Sequence, residues 1–125
     1  MSPARPFILV VEDNANIRAL SSLVLKSAGY QVLEASSADD ALVLLDARND
    51  VVLVFSDIQM PGSMSGIELA HYLHIHHEKL LVILTSNLPI DQHVSYPPQT
   101  PFLEKPYSHH ELLKAVSERL ALSLA

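Results

Sequence analysis

Polar groups able to do chemistry sit at the ends of apolar runs in this chain. Glu12-Asp13 follows the run Phe7 to Val11, Asp57 follows Val51 to Phe55, Thr85 closes Leu80 to Leu84, and Lys105-Pro106 follows Thr100 to Glu104. Gathered at one sheet edge, three carboxylates, one hydroxyl and one ammonium would share a small volume and carry a net charge of −2. Such a group repels itself, or raises the pKa of its own members, unless a cation joins it. A divalent ion balances the charge. The set contains neither His nor Cys, and hard oxygen donors suit Mg²⁺, with Mn²⁺ the alternative ion; Mg²⁺ keeps several waters and shares its remaining positions with phosphate. A carboxylate beside such an ion, a lysine and a hydroxyl can accept a phosphoryl group, because the cations neutralise charge on its equatorial oxygens.

The elements must bring these residues together. The runs Phe7 to Val11, Val51 to Phe55 and Leu80 to Leu84 are short, continuous and rich in Val, Ile and Leu, as expected of strands buried on both faces of a parallel sheet. Gln31 to Ala35 and Thr100 to Glu104 mix polar with apolar residues, and the second holds Pro101, so both belong at sheet edges. Between the strands the helical period predicts a stripe of Ile17, Leu20, Val24 and Ala28 ending at Gly29. A helix over Ala38 to Asp46 follows a box-like Ser37 and Asp40, another spans about Gly66 to His76, and a last one opens with Ser108 and Glu111 and turns Leu112, Leu113, Val116 and Leu120 inward. Alternating strands and helices imply an α/β fold with right-handed crossovers. Five strands in the order 2-1-3-4-5 make a doubly wound parallel sheet, whose ligand crevice lies at the carboxyl ends of strands one and three. That is where Glu12, Asp13 and Asp57 fall.

Composition narrows the function classes. The chain has 125 residues, of which 49% are hydrophobic and 18% charged, with eight Lys and Arg against 14 Asp and Glu; its mean hydropathy is +0.23. One domain with a well-filled core is expected. A net charge of −6 opposes direct binding to a phosphate backbone. With no cysteine, disulfides, thiolate metal sites and thiol nucleophiles are excluded, and a reducing cytoplasm is the expected home. The few apolar residues before Glu12 fall short of a signal h-region or a membrane span. His71, His74, His76 and His77 cluster near the end of the third helix, where imidazoles meet the last carbonyls and the helix dipole rather than a metal.

Glu12-Asp13, the run Asp57-Ile58-Gln59-Met60-Pro61, Thr85 after an apolar strand, and Lys105-Pro106 together resemble the receiver domains of two-component response regulators. The resemblance covers Phe7 to about Leu122 and implies a flavodoxin-like, CheY-like fold; the chain reads as one receiver domain, 1–125, with its core over about 6–122. It implies that Asp57 accepts the phosphoryl group from a phosphohistidine of a sensor histidine kinase or histidine phosphotransfer protein. Glu12 and Asp13 would hold Mg²⁺, Asp13 more directly, together with Asp57 and the backbone carbonyl of Gln59. Lys105 would bind a phosphoryl oxygen, Thr85 would supply the switch hydroxyl, and Phe102 would be the aromatic that moves with it. Gln59 and Asn87 occupy the positions that tune hydrolysis of the acyl phosphate. Such a protein is a signalling phosphoacceptor, catalysing its own phosphorylation and dephosphorylation, rather than a turnover enzyme.

Two departures from the family pattern stand out. The loop Gly62 to Ser65 before Gly66 is one residue longer than usual, and Pro89, Pro97 and Pro98 predict a shortened or irregular fourth helix. The face that helix helps build is the one through which the family reaches downstream partners or forms a homodimer. Other classes fit less well. A Mg²⁺-dependent aspartyl phosphohydrolase wants a second acid two residues after the nucleophile, where Gln59 stands. An FMN binder wants a hydroxyl- and glycine-rich loop in place of Val11-Glu12-Asp13-Asn14. A pseudo-receiver, acting only as a protein interaction module, would have no use for Asp57, Thr85 and Lys105.

Overall fold

The computed structural model describes residues 6–60, 62, 64–87 and 100–122. The fourth-helix expectation, made for residues 86–99, lies outside the described residues over 88–99, as do Pro61 and Ser63 of the loop before Gly66. Strands β1 (Phe7–Val11), β2 (Gln31–Ala35), β3 (Val51–Asp57), β4 (Leu81–Ser86) and β5 (Phe102–Glu104) alternate with helices α1 (Ala15–Ser27), α2 (Ala38–Ala47) and α3 (Gly66–His76); α4 (His109–Leu122) follows β5. All neighbouring strands pair in parallel, in the order β2-β1-β3-β4-β5. The expected doubly wound sheet, with its weaker strands at the edges, is what forms.

Strand alternation divides the core in two. Leu9, Val11, Val54, Val82 and Leu84 face α2 and α3, packing on Ala38, Ala41, Leu45, Leu69, Ala70 and Leu73. Ile8, Val10, Leu53, Phe55 and Ile83 face the other way, onto Val24, Leu25, Leu112 and Val116 of α1 and α4. Period-two alternation within continuous apolar runs therefore serves two helical layers. Each Val, Leu, Ile and Phe among them, hidden from water, contributes about 1.5–3 kcal/mol, and the alanines less. This two-sided burial is what fixes the register of the central strands.

Hydrogen bonding sets the element ends. Asn14 Oδ1 accepts from the N–H groups of Asn16 and Ile17 at the start of α1, and Ser37 Oγ accepts from Asp40 N–H at the start of α2. Ser65 with Glu68 and Ser108 with Glu111 close reciprocal capping boxes on α3 and α4. Gly29, at φ 99°, makes the left-handed turn after α1 that other residues adopt only with strain. β3 and β4 run two residues beyond their apolar runs, so that Asp57 ends β3 itself, opposite Thr85. The ladder continues there because Ser56 and Ser86 are small and can be buried with their backbones paired.

One expected face is corrected. The predicted stripe of Ile17, Leu20, Val24 and Ala28 is not the buried one: α1 buries Ser21, Ser22, Val24 and Leu25, while Ile17 and Leu20 are 38% and 51% exposed. The helix turns Ser21 toward a partner across the layer, its Oγ lying 2.9 Å from Tyr107 Oη, while Ser22 Oγ is buried with no hydrogen-bond partner among the described residues. A hydroxyl that is hydrogen-bonded can enter the interior at little cost.

Candidate functional site

The carboxyl ends of β1, β3 and β4 converge on one pocket. Chain direction does this. Parallel strands in this order place the residues after β1 and at the end of β3 side by side where the winding reverses. Glu12, directly after β1, is 4% exposed, and Asp57 is 5% exposed. Asp13 next to them is exposed. One carboxylate oxygen from each of Glu12, Asp13 and Asp57 lies within 4.8 Å of the others.

Lys105 reaches this cluster from the turn after β5. Its Nζ donates to Glu12 Oε1 at 2.9 Å and to Asp57 Oδ2 at 3.1 Å. The second oxygens are used as well. Glu12 Oε2 accepts from Asn14 N–H at 3.2 Å and Asp57 Oδ1 from Gln59 N–H at 3.3 Å. Burial works to lower the Lys105 pKa, but its bonds to Glu12 and Asp57 outweigh it, and the ammonium titrates above its ordinary value. Asp13 is shifted upward, first by partial removal from water and then by its contact with the Glu12 carboxyl.

The donor set fits a hard divalent cation. Three carboxylate oxygens are close enough to share one ion, one ammonium leaves them negative, and Asp13 is shifted upward by partial removal from water and then by Glu12, both of which a cation would offset.

Supporting residues hold the pocket in shape. Arg18 on α1 donates from Nη1 to the Glu12 carbonyl at 2.8 Å and pairs through Nε with Glu34 at 3.3 Å, bracing the acidic turn against β2. Gly66 lets α3 begin directly against β3. A Cβ there would stand 2.8 Å from Ile58 Cα and 2.9 Å from the Asp57 carbonyl carbon, and would overlap the Asp57 carbonyl oxygen. The Tyr107 ring meets Phe55 edge-on with centroids 5.7 Å apart, and burial raises the pKa of its hydroxyl. Ile17, Leu20, Tyr107, Leu112 and Lys105 line a cavity of about 320 Å³ beside the pocket.

The structure thus brings Glu12, Asp13, Asp57, Gln59, Thr85 and Lys105 to one end of the sheet. Thr85 is 1% exposed, and its Oγ1 has no hydrogen-bond partner among the described residues. Phe102 lies on β5 opposite Leu84, half-buried against the α2 and α3 side of the core. The clustered histidines stand elsewhere. His76 rests on the Tyr72 ring at 4.3 Å, and His77 Nε2 lies 3.3 Å from Asp46 Oδ1. Sequence reasoning missed Asn14, Arg18, Ser86 and Tyr107. Asn14 carried a readable signal, an N-cap residue directly before a helix; the other three act through contacts across the fold.

A doubly wound α/β sheet with a lysine-bridged carboxylate pocket at its switch point is the class that fold and site define. The response regulator receiver domain model matches residues 8–117, and the chain belongs to that family. It is 35% identical over 121 residues to the phosphate regulon transcriptional regulatory protein PhoB of Pseudomonas aeruginosa, a match covering 90% of this chain and 52% of that protein. It is 31% identical over 119 residues to sporulation initiation phosphotransferase F of Bacillus subtilis, covering 92% and 94%. Over 123 residues it is 33% identical to the sensor kinase CckA of Brucella abortus, covering 90% and 12%. The chain therefore spans about half the length of the first of these relatives (52%) and a small part of the third (12%). Among solved structures, the signal receiver domain of an HD domain-containing protein from Pseudomonas fluorescens superposes with TM-score 0.86 at 29% identity, covering 96% of this chain and 98% of that one. TrrA of Thermotoga maritima, solved in complex with Mg²⁺ and BeF, gives TM-score 0.82 at 29% identity, covering 90% and 97%. Receiver domains are signalling phosphoacceptors of two-component systems and bind Mg²⁺ through an acidic cluster. Among the described residues no helix is long and apolar enough to cross a membrane.

Proposed function

We propose that Asp57 is the phosphoacceptor of a two-component phosphorelay, taking its phosphoryl group from a phosphohistidine on a sensor histidine kinase or histidine phosphotransfer protein. The observation that carries this reading is the Lys105 ammonium bonded at once to Glu12 and Asp57 in a buried pocket that Asp13 adjoins. A carboxylate oxygen of Asp57 forms a bond to phosphorus as the P–N bond breaks, and the electron pair leaves with the imidazole nitrogen, which is protonated from solvent. Lys105 holds one equatorial oxygen of the transferring group and offsets its charge. Thr85 Oγ1, without a partner among the described residues, is the hydroxyl placed to turn toward the new phosphoryl group, and Phe102 on the neighbouring strand follows it. Glu12, Asp13, Asp57 and the carbonyl of Gln59 would hold Mg²⁺. When bound, that ion neutralises negative charge as the nucleophile and the phosphoryl group approach.

The exposed Ile17 and Leu20 beside Lys105 offer the donor protein an apolar foothold next to Asp57. Homology to a sensor kinase and a phosphotransferase supports a phosphohistidine partner. We place the protein in the cytoplasm, with the whole chain as one receiver domain whose core spans about 6–122. Titration with Mg²⁺ and beryllofluoride, followed by NMR, tests the reading. Saturable shifts at Asp57, Thr85 and Lys105 that vanish in Asp57→Asn are expected; identical spectra for the two proteins would overturn it.

A further inference from the structure

Two neighbouring hydroxyls at the end of β4 are used differently. Thr85 Oγ1 has no partner among the described residues, whereas Ser86 Oγ, on a residue with 0% exposure, donates to Gln59 Oε1 at 3.0 Å. Gln59 itself is exposed, so the core does not immobilise its long side chain, and ordering it costs rotamer entropy. Its backbone N–H meanwhile donates to Asp57 Oδ1 at 3.3 Å. One residue is thus tied at its backbone to the end of β3 and at its side-chain tip to the end of β4. Ser86 also accepts from the Lys105 N–H through its own carbonyl, at 2.8 Å, so it contacts the pocket from both sides.

We infer that Ser86 is a positioning residue, whose hydroxyl latches the Gln59 side chain across β3 and β4 and so holds the Gln59 carbonyl ready for Mg²⁺. The inference rests on the Mg²⁺ reading given above. Mg²⁺ demands near-ideal octahedral geometry, so a carbonyl ligand on an exposed turn binds well only if its backbone is already in place. The hydroxyl that does this never touches the ion. Losing it leaves the Gln59 amide hydrated at the surface, so the fold survives and the site loses pre-organisation.

Mg²⁺ affinity, measured by calorimetric titration of the full chain, tests the latch in wild type, Ser86→Ala, Gln59→Met and the double variant. Gln59→Met keeps the main-chain carbonyl and removes only the acceptor of the latch. Each single change should weaken Mg²⁺ binding about fivefold, the worth of one neutral hydrogen bond. The double variant should be no weaker than either single, because both break the same contact. The Gln59 side-chain amide resonances should shift in Ser86→Ala even without metal, with thermal midpoints lowered by only a few degrees. Wild-type affinity in Ser86→Ala, or single effects that multiply in the double variant, would overturn the latch. If the wild type itself binds no Mg²⁺, the reading beneath it falls, and that outcome is distinguishable because no variant then matters.

Discussion

Replacing Lys105 with methionine removes a charge that two hidden carboxylates share. The ammonium side chain is 9% exposed and each of its partners, Glu12 and Asp57, 6% exposed, so neither acid can recover its lost contact fully from water. Breaking such a buried pair from one side costs about 3–5 kcal/mol. Glu12 keeps its bond from Asn14 N–H and Asp57 its bond from Gln59 N–H, which places the loss near the lower end, about 3 kcal/mol. For a domain with about 5–15 kcal/mol in all, and a urea dependence of about 1–3 kcal/mol per molar, the midpoint should fall by roughly 2 M. Without the ammonium, Glu12 and Asp57 face each other as unpaired carboxylates, and a divalent cation in the pocket would offset part of that repulsion. Urea unfolding of Lys105→Met with and without Mg²⁺ should therefore show the larger deficit without metal and a smaller one with it. A deficit below about 1 kcal/mol without metal, or one indifferent to Mg²⁺, would refute this view of the pocket.

Other perturbations follow from the same geometry. Gly66→Ala drives a methyl into the backbone of Asp57 and Ile58; it should cost about 1–3 kcal/mol or more and, by moving Asp57, slow phosphorylation even at temperatures where the variant is folded, as a kinetic assay with acetyl phosphate would show. Asp13→Asn removes the group that crowds Glu12; in metal-free buffer its melting temperature should rise, while the Mg²⁺-induced rise expected of wild type should disappear. Lys105 and Tyr107 both have folded pKa values above their ordinary 10.5 and 10.0. Their contributions are complete below those ordinary values and are lost as pH rises through the raised ones. Thermal melts across that alkaline limb should fall less steeply in Tyr107→Phe.

Much of this was legible in the residues. Strands buried on two faces announce themselves as continuous apolar runs, and the acids at their ends need no long-range information to be noticed. Ser108 with Glu111 marked the start of α4 because a capping box is a local device. α1 was different. Two candidate faces share its period, and the choice between them depends on the Ser21 to Tyr107 hydrogen bond, whose partners are 86 positions apart. A buried serine is invisible to a pattern built on hydrophobicity. For the same reason Ser86 drew no notice beside Thr85, although their hydroxyls differ in partner. The extension of β3 to Asp57 was likewise hidden, since Ser56-Asp57 looks like the start of a loop until β4 is seen to pair with it.

The central claim, that Asp57 accepts a phosphoryl group with the help of Mg²⁺, is tested most directly by intact mass. The protein is incubated with acetyl phosphate, with and without Mg²⁺, as wild type and as Asp57→Asn, and each sample is weighed with a beryllofluoride-saturated control for a short-lived adduct. The account predicts a gain of one phosphoryl group in wild type with Mg²⁺, absent without the ion and absent in the variant. An equal gain in Asp57→Asn, or no gain and no beryllofluoride binding in wild type loaded with Mg²⁺, would contradict it.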